Sequence, residues 1–456
     1  MSLADLTATE LTARYAAGHL SPVDVAEAVL ARVDDREPDL NAFYLRDDSE
    51  LVLERAAAST RRWEAGEPLS VLDGVPVTVK ENIARAGVPM PAGCAGVEPV
   101  VPEADSPIAR RVVEAGMLVL GSTVMPDWGM LSSGHSSLHG QTFSPLNPAW
   151  GTGGSSSGAG VAAAAGYGPL HVGTDIGGSI RLPGTWLGLS TLKPSAGRIP
   201  LHAPYLGRVA GPMARTAADC ALLMSVLAGP DPADWTSLPG DDSSWELGED
   251  NLTTAKVGVW TEPGYGMDPA LEVVAAVETA ADRLSDAGAH IIEIKPWLGQ
   301  DLLDGIDRFW RIRSLADFER LSPAAQAKVL PYIQAWVTSA RGLSAVDALD
   351  AYAAFAQVQS RTVAAWARAA PGGLDLMISP VAPEAAPAAD LPMPYPEQGR
   401  GMWHINFTMP WNMTGQAAGT APVASMSDGR PIGVQVIGRA FDDLAVLRTM
   451  RWLESA

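Results

Sequence analysis

"SPIARRVVEAGMLVLGST" (106–123) decides the fold class. It reads as a helix over 106–116 that stops at Gly116, where glycine turns left-handed without steric cost, followed at once by a short apolar strand, 117–123. A helix feeding directly into an apolar strand is the building unit of an α/β sheet. Upstream, "VLDGVPVTVKENI" (71–83) reads as a second strand entered through a turn at Asp73-Gly74. Within it Val75, Val77 and Val79 alternate with Pro76, Thr78 and Lys80, which sets Lys80 on the face opposite the valines. Two helices precede it. One covers 3–17, and the other opens at "SPVD", with Ser21 as N-cap, Pro22 in the first turn and Asp24 at the positive end of the dipole.

Downstream, a Gly/Ser-rich loop (144–158) leads into a small-residue helix, "GAGVAAAAG" (158–166), and 229–250 read as an acidic surface loop. "KVGVW", a helix over 268–287 and "HIIEI" form a strand–helix–strand run; 301–370 are mostly helical and 380–396 are a Pro-rich loop. "APVASMSDGRPIGVQVIG" is a hairpin turning at Asp428-Gly429. The expectation is α/β, one large domain over 1–456 with a central mixed sheet covered by helices on both faces. Its parts would be N-terminal helices (1–65), a core (66–228), a helical and β-α-β variable region (250–375), and C-terminal strands with a pocket segment (376–456).

Composition narrows the function. With 47% hydrophobic and 18% charged residues the chain suits a globular protein with a large core. A formal net charge of −20 disfavours nucleic acid and anionic membranes as partners. Cys94 and Cys220 are too few for a disulfide framework and lie in no metal-ligand spacing, so no metal or other cofactor is expected. "MSLADLTATELTARY" has no basic and apolar leader pattern, which gives a cytoplasmic expectation.

Three segments carry chemistry. In "GTDIGGSIR" (173–181), Ser179 follows two glycines whose amides can point at a ligand, which suits an oxyanion hole. A serine is a weak nucleophile until a base takes its proton, and no histidine sits beside it. "GVPVTVKENI" supplies a lysine among valines; desolvation there lowers its pKa and makes a neutral amine, a competent base. "GTGGSSSGAG" supplies Ser155, Ser156 and Ser157 after a glycine pair, and one of them can pass the proton between the two. Taken singly, a strand lysine is most often a snorkelling surface residue and a Ser/Gly cluster a plain loop. It is the combination that counts.

With these motifs the chain resembles the amidase signature family, near-continuously from about 70 to 220 and again over 405–440. The resemblance implies a Ser-cisSer-Lys triad in which Lys80 is the base, Ser155 the bridging serine after a cis Gly154–Ser155 bond, and Ser179 the nucleophile. The separations, 75 and 24 residues, fit the family's motifs without a gap. It also implies an oxyanion hole from the amides of Ile176, Gly177, Gly178 and Ser179, with Ser156, Asp175 and Arg181 in support. Asp175 and Arg181 read as an ion pair that holds the loop, and "LKPSAGRIP" (192–200) as a further support. The chain departs from the family after "GST" (121–123), where Ser122 and Val124 replace a lysine and an asparagine found in many members. The implied activity is hydrolysis of carboxylic amides by a monomer or homodimer acting on a small molecule.

Gly129, Met130 and Leu131 in "MPDWGMLSSG", and Trp403 and Trp411 in "GMWHINFTMPWNMTG", are the expected pocket residues, because irregular apolar segments often line pockets. Such walls point to bulky apolar or aryl amides, with esters and carbamates of the same shape. Two rivals stand beside this reading. "GSSSG" (154–158) fits G-x-S-x-G and would make Ser156 the nucleophile of an α/β-hydrolase with a partner such as His404. Alternatively, the chain is the amidase component of a multi-subunit amidotransferase.

Overall fold

The computed structural model describes residues 2–240, 244–248, 252–397 and 400–455. Apolar runs become strands where turns bound them, and in chain order these are β1 (Phe43–Arg46), β2 (Pro76–Lys80), β3 (Leu118–Thr123), β4 (His135–Ser136), β5 (Gly140–Gln141), β6 (Leu170–Asp175), β7 (Ser190–Lys193), β8 (Val209–Ala214), β9 (Lys256–Val259), β10 (His290–Glu293), β11 (Leu376–Pro380), β12 (Ala418–Ser425) and β13 (Pro431–Gly438). Eleven of them form one sheet in the order β1-β3-β2-β6-β8-β7-β12-β13-β11-β9-β10, and β4 and β5 pair separately. The β2–β3, β2–β6, β9–β10 and β9–β11 pairs are parallel, while β6–β8, β7–β12 and β12–β13 are antiparallel. The sheet is therefore mixed, as the alternating pattern implied.

The 106–123 stretch folds as expected, with a helix Pro107–Glu114 capped by the Ser106 hydroxyl and released into β3. Gly116 at the junction has φ +76°, and a Cβ there would meet Asp73 Oδ1 at 2.3 Å, so only glycine fits. Every residue of β2, β3 and β6 is buried. Strands covered on both faces lose the in/out alternation. That is why Lys80 is no snorkelling residue even though it alternates with valines.

One apolar cluster runs from Leu11 and Val25 in the N-terminal helices through Val77, Leu118 and Val172 to Leu223 and Met450. A second, rich in tryptophan (Trp186, Trp260, Trp310, Trp411), packs the helices Gln300–Glu319 and Ala345–Arg368 onto the strands. The helix expected over 3–17 is instead two pieces, a 3-10 turn Leu3–Asp5 and an α-helix Ala8–Ala16. The cause is Thr7, whose hydroxyl caps Glu10 N–H while the Glu10 carboxylate returns to the Thr7 amide. The second helix, Pro22–Leu40, starts on the expected Ser21 cap with Asp24 completing the box.

The acidic loop differs from its expectation too. Asp231 and Asp234 are buried, one holding Arg110 and the other accepting from the Leu201 amide, so they are ties and not solvated charges. Residues 241–243 and 249–251 of that loop lie outside the described residues. Cys94 and Cys220 are buried free thiols. Among the described residues no helix is long and apolar enough to cross a membrane.

Candidate active site

Lys80 ends β2 and is wholly buried. Its Nζ lies 2.7 Å from Ser155 Oγ and 3.1 Å from Ser156 Oγ. Burial, reinforced by the positive charge of Arg208, holds its pKa well below the ordinary lysine value of 10.5, outweighing the opposing pull of Glu81 and Asp175. The hydrogen-bond pattern gives the two serines different parts. Ser156 Oγ donates to the Thr174 carbonyl at 3.1 Å and accepts from the Thr174 amide at 3.2 Å. Its only proton is thus committed, and toward Lys80 it can only accept. A neutral amine that donates to Ser156 keeps its lone pair for the Ser155 hydroxyl. Gly154–Ser155 is a cis peptide bond. Gly154 is pressed against the Leu131 and Ser133 carbonyls, which a Cβ would meet at 2.5 and 2.7 Å.

Ser179 sits in the turn after β6. The turn is organised by Asp175, whose carboxylate accepts from the amides of Gly178 (2.8 Å) and Ile180 (3.0 Å). Asp175 is in turn gripped by Arg181 through Nε at 3.0 Å and Nη2 at 2.9 Å, both side chains fully buried. Arg181 also donates to the Thr408 carbonyl, Gln435 and Asn412. Burial alone would raise the Asp175 pKa, but the Arg181 charge and these hydrogen bonds hold it below the usual carboxylate range. The expected ion pair is therefore present and clamps the loop.

This clamp corrects one expectation. The Gly178 N–H is taken by Asp175, so it cannot serve an oxyanion; among the described residues no acceptor is seen for the amides of Ile176, Gly177 and Ser179. The Ser156 amide donates to the Ser179 carbonyl at 3.2 Å and ties the two loops together.

Ser179 faces two connected spaces. An inner pocket of about 120 Å³ is walled by Met130, Leu131, Trp310, Trp336, Met402 and Ile405, and Ile176, Gly177 and Ser179 border it too. An outer cleft of about 530 Å³ holds Ser155, Ser179 and Ile176 with Met125, Tyr205, Arg208 and Arg313. Trp128, Gly129 and Met130 border both.

Gly129, Met130 and Leu131 are thus where the sequence put them, whereas Trp403 and Trp411 are not. Trp411 is fully buried among Trp260, Trp297 and Trp366 with ring centroids about 6 Å apart. Trp403 packs on the core with Arg400 over its ring at 5.1 Å. The segment is irregular because it is a 3-10 turn, Trp403–Ile405, followed by a six-residue helix, Met409–Thr414, wedged between core layers. Its neighbours Met402 and Ile405 reach the pocket instead.

Sequence reasoning misses Trp310, Arg313 and Ser314. They share one face of the helix Gln300–Glu319, and their i, i+3, i+4 spacing is the available signal.

The α/β-hydrolase rival finds no support in the geometry. Ser156 is wholly buried with its hydroxyl committed. His404 meets a different serine, its Nε2 being 2.7 Å from Ser132 Oγ, and burial lowers its pKa to about 3. Lys193, in the supporting "LKPSAGRIP" segment, is a second buried lysine; its ammonium contacts the Pro194 carbonyl at 3.0 Å, and burial brings its pKa to about 7.

Comparison with known proteins agrees with the fold. The family model described as Amidase matches residues 24–447. An acylamidase of Rhodococcus erythropolis is 33% identical over 97% of this chain and 94% of its own length. A glutamyl-tRNA(Gln) amidotransferase subunit of Chloroflexus aurantiacus is 31% identical over 97% and 95%. In fold, the chain superposes on a bacterial aryl acylamidase with a TM-score of 0.88 at 24% identity, covering 99% of this chain and 96% of the other. With the model match spanning nearly the whole chain and these relatives aligned end to end, the chain belongs to the amidase signature family of amide-cleaving hydrolases.

Proposed function

We propose that the chain is a stand-alone hydrolase of bulky apolar and aryl amides that works through an acyl-enzyme on Ser179. The observation that carries this reading is the 2.7 Å contact between the buried Lys80, whose pKa burial holds well below 10.5, and Ser155, which borders the cleft that also contains Ser179. Ser179 attacks the carbonyl, its proton passes to Ser155, and the Ser155 proton passes to Lys80. The link from Ser179 to Ser155 is the one that substrate binding has to close. The developing oxyanion accepts from the amides of Ile176, Gly177 and Ser179, donors each worth about 10²–10³ in turnover. The relay then runs backward to protonate the leaving amine, and water releases the acid by the same path.

The apolar walls of the inner pocket support the substrate class. Burying a ring or branched chain against Trp310, Trp336 and Ile405 contributes roughly 1.5–3 kcal/mol. Esters and aryl carbamates of the same shape are substrates too, since attack and oxyanion stabilisation are common to all three. The amidotransferase relatives favour a second reading, an amidase fed by partner subunits. The apolar pocket favours the first.

The experiment is a kcat/KM comparison of an acyl anilide with acetamide on the purified chain. A preference of about tenfold or more for the anilide is expected. Equal or better acetamide turnover, or activity that appears only with added subunits, would overturn the reading.

A further inference from the structure

We propose that the outer cleft takes an amine half that carries a carboxylate, bound by Arg208 with Arg313 beside it, so that the preferred substrates are N-acylated aromatic amino acids such as acyl aminobenzoates. The proposal rests on the amide-hydrolase reading above and adds to it the sidedness of the site and the charge of the substrate.

Sidedness follows from which residues border which space. Gly177, one of the free oxyanion donors, borders only the inner pocket, whereas Ser155 borders only the outer cleft. Ser155 is the group that hands a proton to the leaving amine, so the amine half projects into the outer cleft and the acyl half into the apolar pocket. The outer cleft is not apolar throughout. Arg208 is half-buried in its wall, and it donates from Nη2 to the Asn82 carbonyl at 3.3 Å. Among the described residues no carboxylate pairs with it, whereas Arg85, Arg62 and Arg181 each hold an aspartate.

Arg313 lies over the Tyr205 ring at 5.0 Å, and these two residues border the inner pocket as well as the outer cleft, whereas Arg208 borders the outer cleft alone. Its carboxylate neighbour, Asp317 at 3.7 Å, is shared with Arg320 at 2.9 Å. The other acid at the cleft, Asp175, is already spent on Arg181. In a chain of net charge −20, Arg208 thus stands in the cleft wall with no carboxylate paired to it among the described residues. Burial, and after it the Arg313 charge, lowers the Arg208 pKa, the mark of a cation that lacks its counter-ion. A guanidinium's planar fork fits a carboxylate in two parallel hydrogen bonds. Met125, Trp128 and Tyr205 flank the path from Ser179 and supply walls for an aromatic spacer.

The test compares kcat/KM for hexanoyl-4-aminobenzoate and its uncharged match, hexanoyl-4-toluidide, in the wild type, Arg208→Met and Arg313→Gln. The wild type should favour the carboxylate by about tenfold or more, and Arg208→Met should bring the ratio to about one. Any effect of Arg208 on Lys80 strikes both substrates and cancels in the ratio. Arg313→Gln, on an exposed side chain, should reduce the ratio partway and guards against misfolding of the first variant. Binding of 4-aminobenzoate and 4-toluidine to Ser179→Ala, measured by calorimetry, gives the same comparison without turnover. A wild-type ratio near one, or a ratio unchanged in both variants, overturns the proposal. If neither anilide is turned over, the hydrolase reading fails. The calorimetric comparison still decides the carboxylate site, and equal binding of the two products would sink it.

Discussion

Lys80, at the end of β2, and Arg181, at the start of the helix that follows β6, are both basic side chains with no exposed surface, yet their surroundings are opposite. Arg181 is saturated by one carboxylate, two amide side chains and a carbonyl. Lys80 meets two hydroxyls and no carboxylate. A buried cation with a full complement of acceptors stays charged and holds structure; burial of an amine offered only hydroxyls lowers its pKa, which suits the base proposed for Lys80. The difference is one of partners, since burial is the same.

The comparison can be broken at either end. The largest effect belongs to the reactive end. Ser179→Ala should lose about 10⁴-fold or more in turnover with any amide or ester, and Lys80→Met and Ser155→Ala should lose nearly as much, non-additively, because the three act as one unit. Steady-state kinetics of the singles and the Lys80→Met/Ser155→Ala double would show it. Thermal unfolding of Lys80→Met at pH 7 should not fall. Burial holds the folded lysine's pKa well below the unfolded value of 10.5, so below pH 10.5 the native residue costs stability that methionine does not.

Arg181→Met should do the reverse. It strands the Asp175 charge in the core and should cost about 3–5 kcal/mol in denaturant unfolding, with activity lost through the collapsed turn. A folded, inactive Arg181→Met of unchanged stability would break the contrast.

A similar split separates the tryptophans. Trp411→Ala should cost about 3–5 kcal/mol of stability, as a filled core position, while Trp336→Ala, at a half-buried position that donates to Asp307, should cost less stability and raise KM for a bulky amide about tenfold or more. The smallest effect sharpens the comparison. Arg208→Met removes a charge that depresses the Lys80 pKa, so the acid limb of the kcat/KM–pH profile should move to higher pH. An unmoved limb would mean that burial alone sets the base.

The strands and the helix at 107–114 are legible because apolar runs bounded by Gly116 and Asp73-Gly74 have few other ways to fold. The residues proposed as the triad stand out in the sequence because glycine pairs precede both serines and valines precede the lysine. What stays hidden depends on partners distant in sequence. Gly178 looks like an oxyanion donor until Asp175 is seen accepting its amide. Trp411 looks like pocket lining until three tryptophans from elsewhere in the chain close around it. The first helix breaks where Thr7 and Glu10 cap each other, a local signal that the sequence does carry and that a continuous helix over 3–17 overlooks.

The most direct test of Lys80 as a neutral base is the rate of sulfonylation of the chain by a phenylmethylsulfonyl fluoride, followed against pH with the adduct located by peptide mass spectrometry. The account predicts a single adduct on Ser179, formed at a rate that rises through one ionisation well below 10.5 and disappears in Lys80→Met. An adduct on Ser156, or a rate on Ser179 that is indifferent to pH and to Lys80, would contradict it.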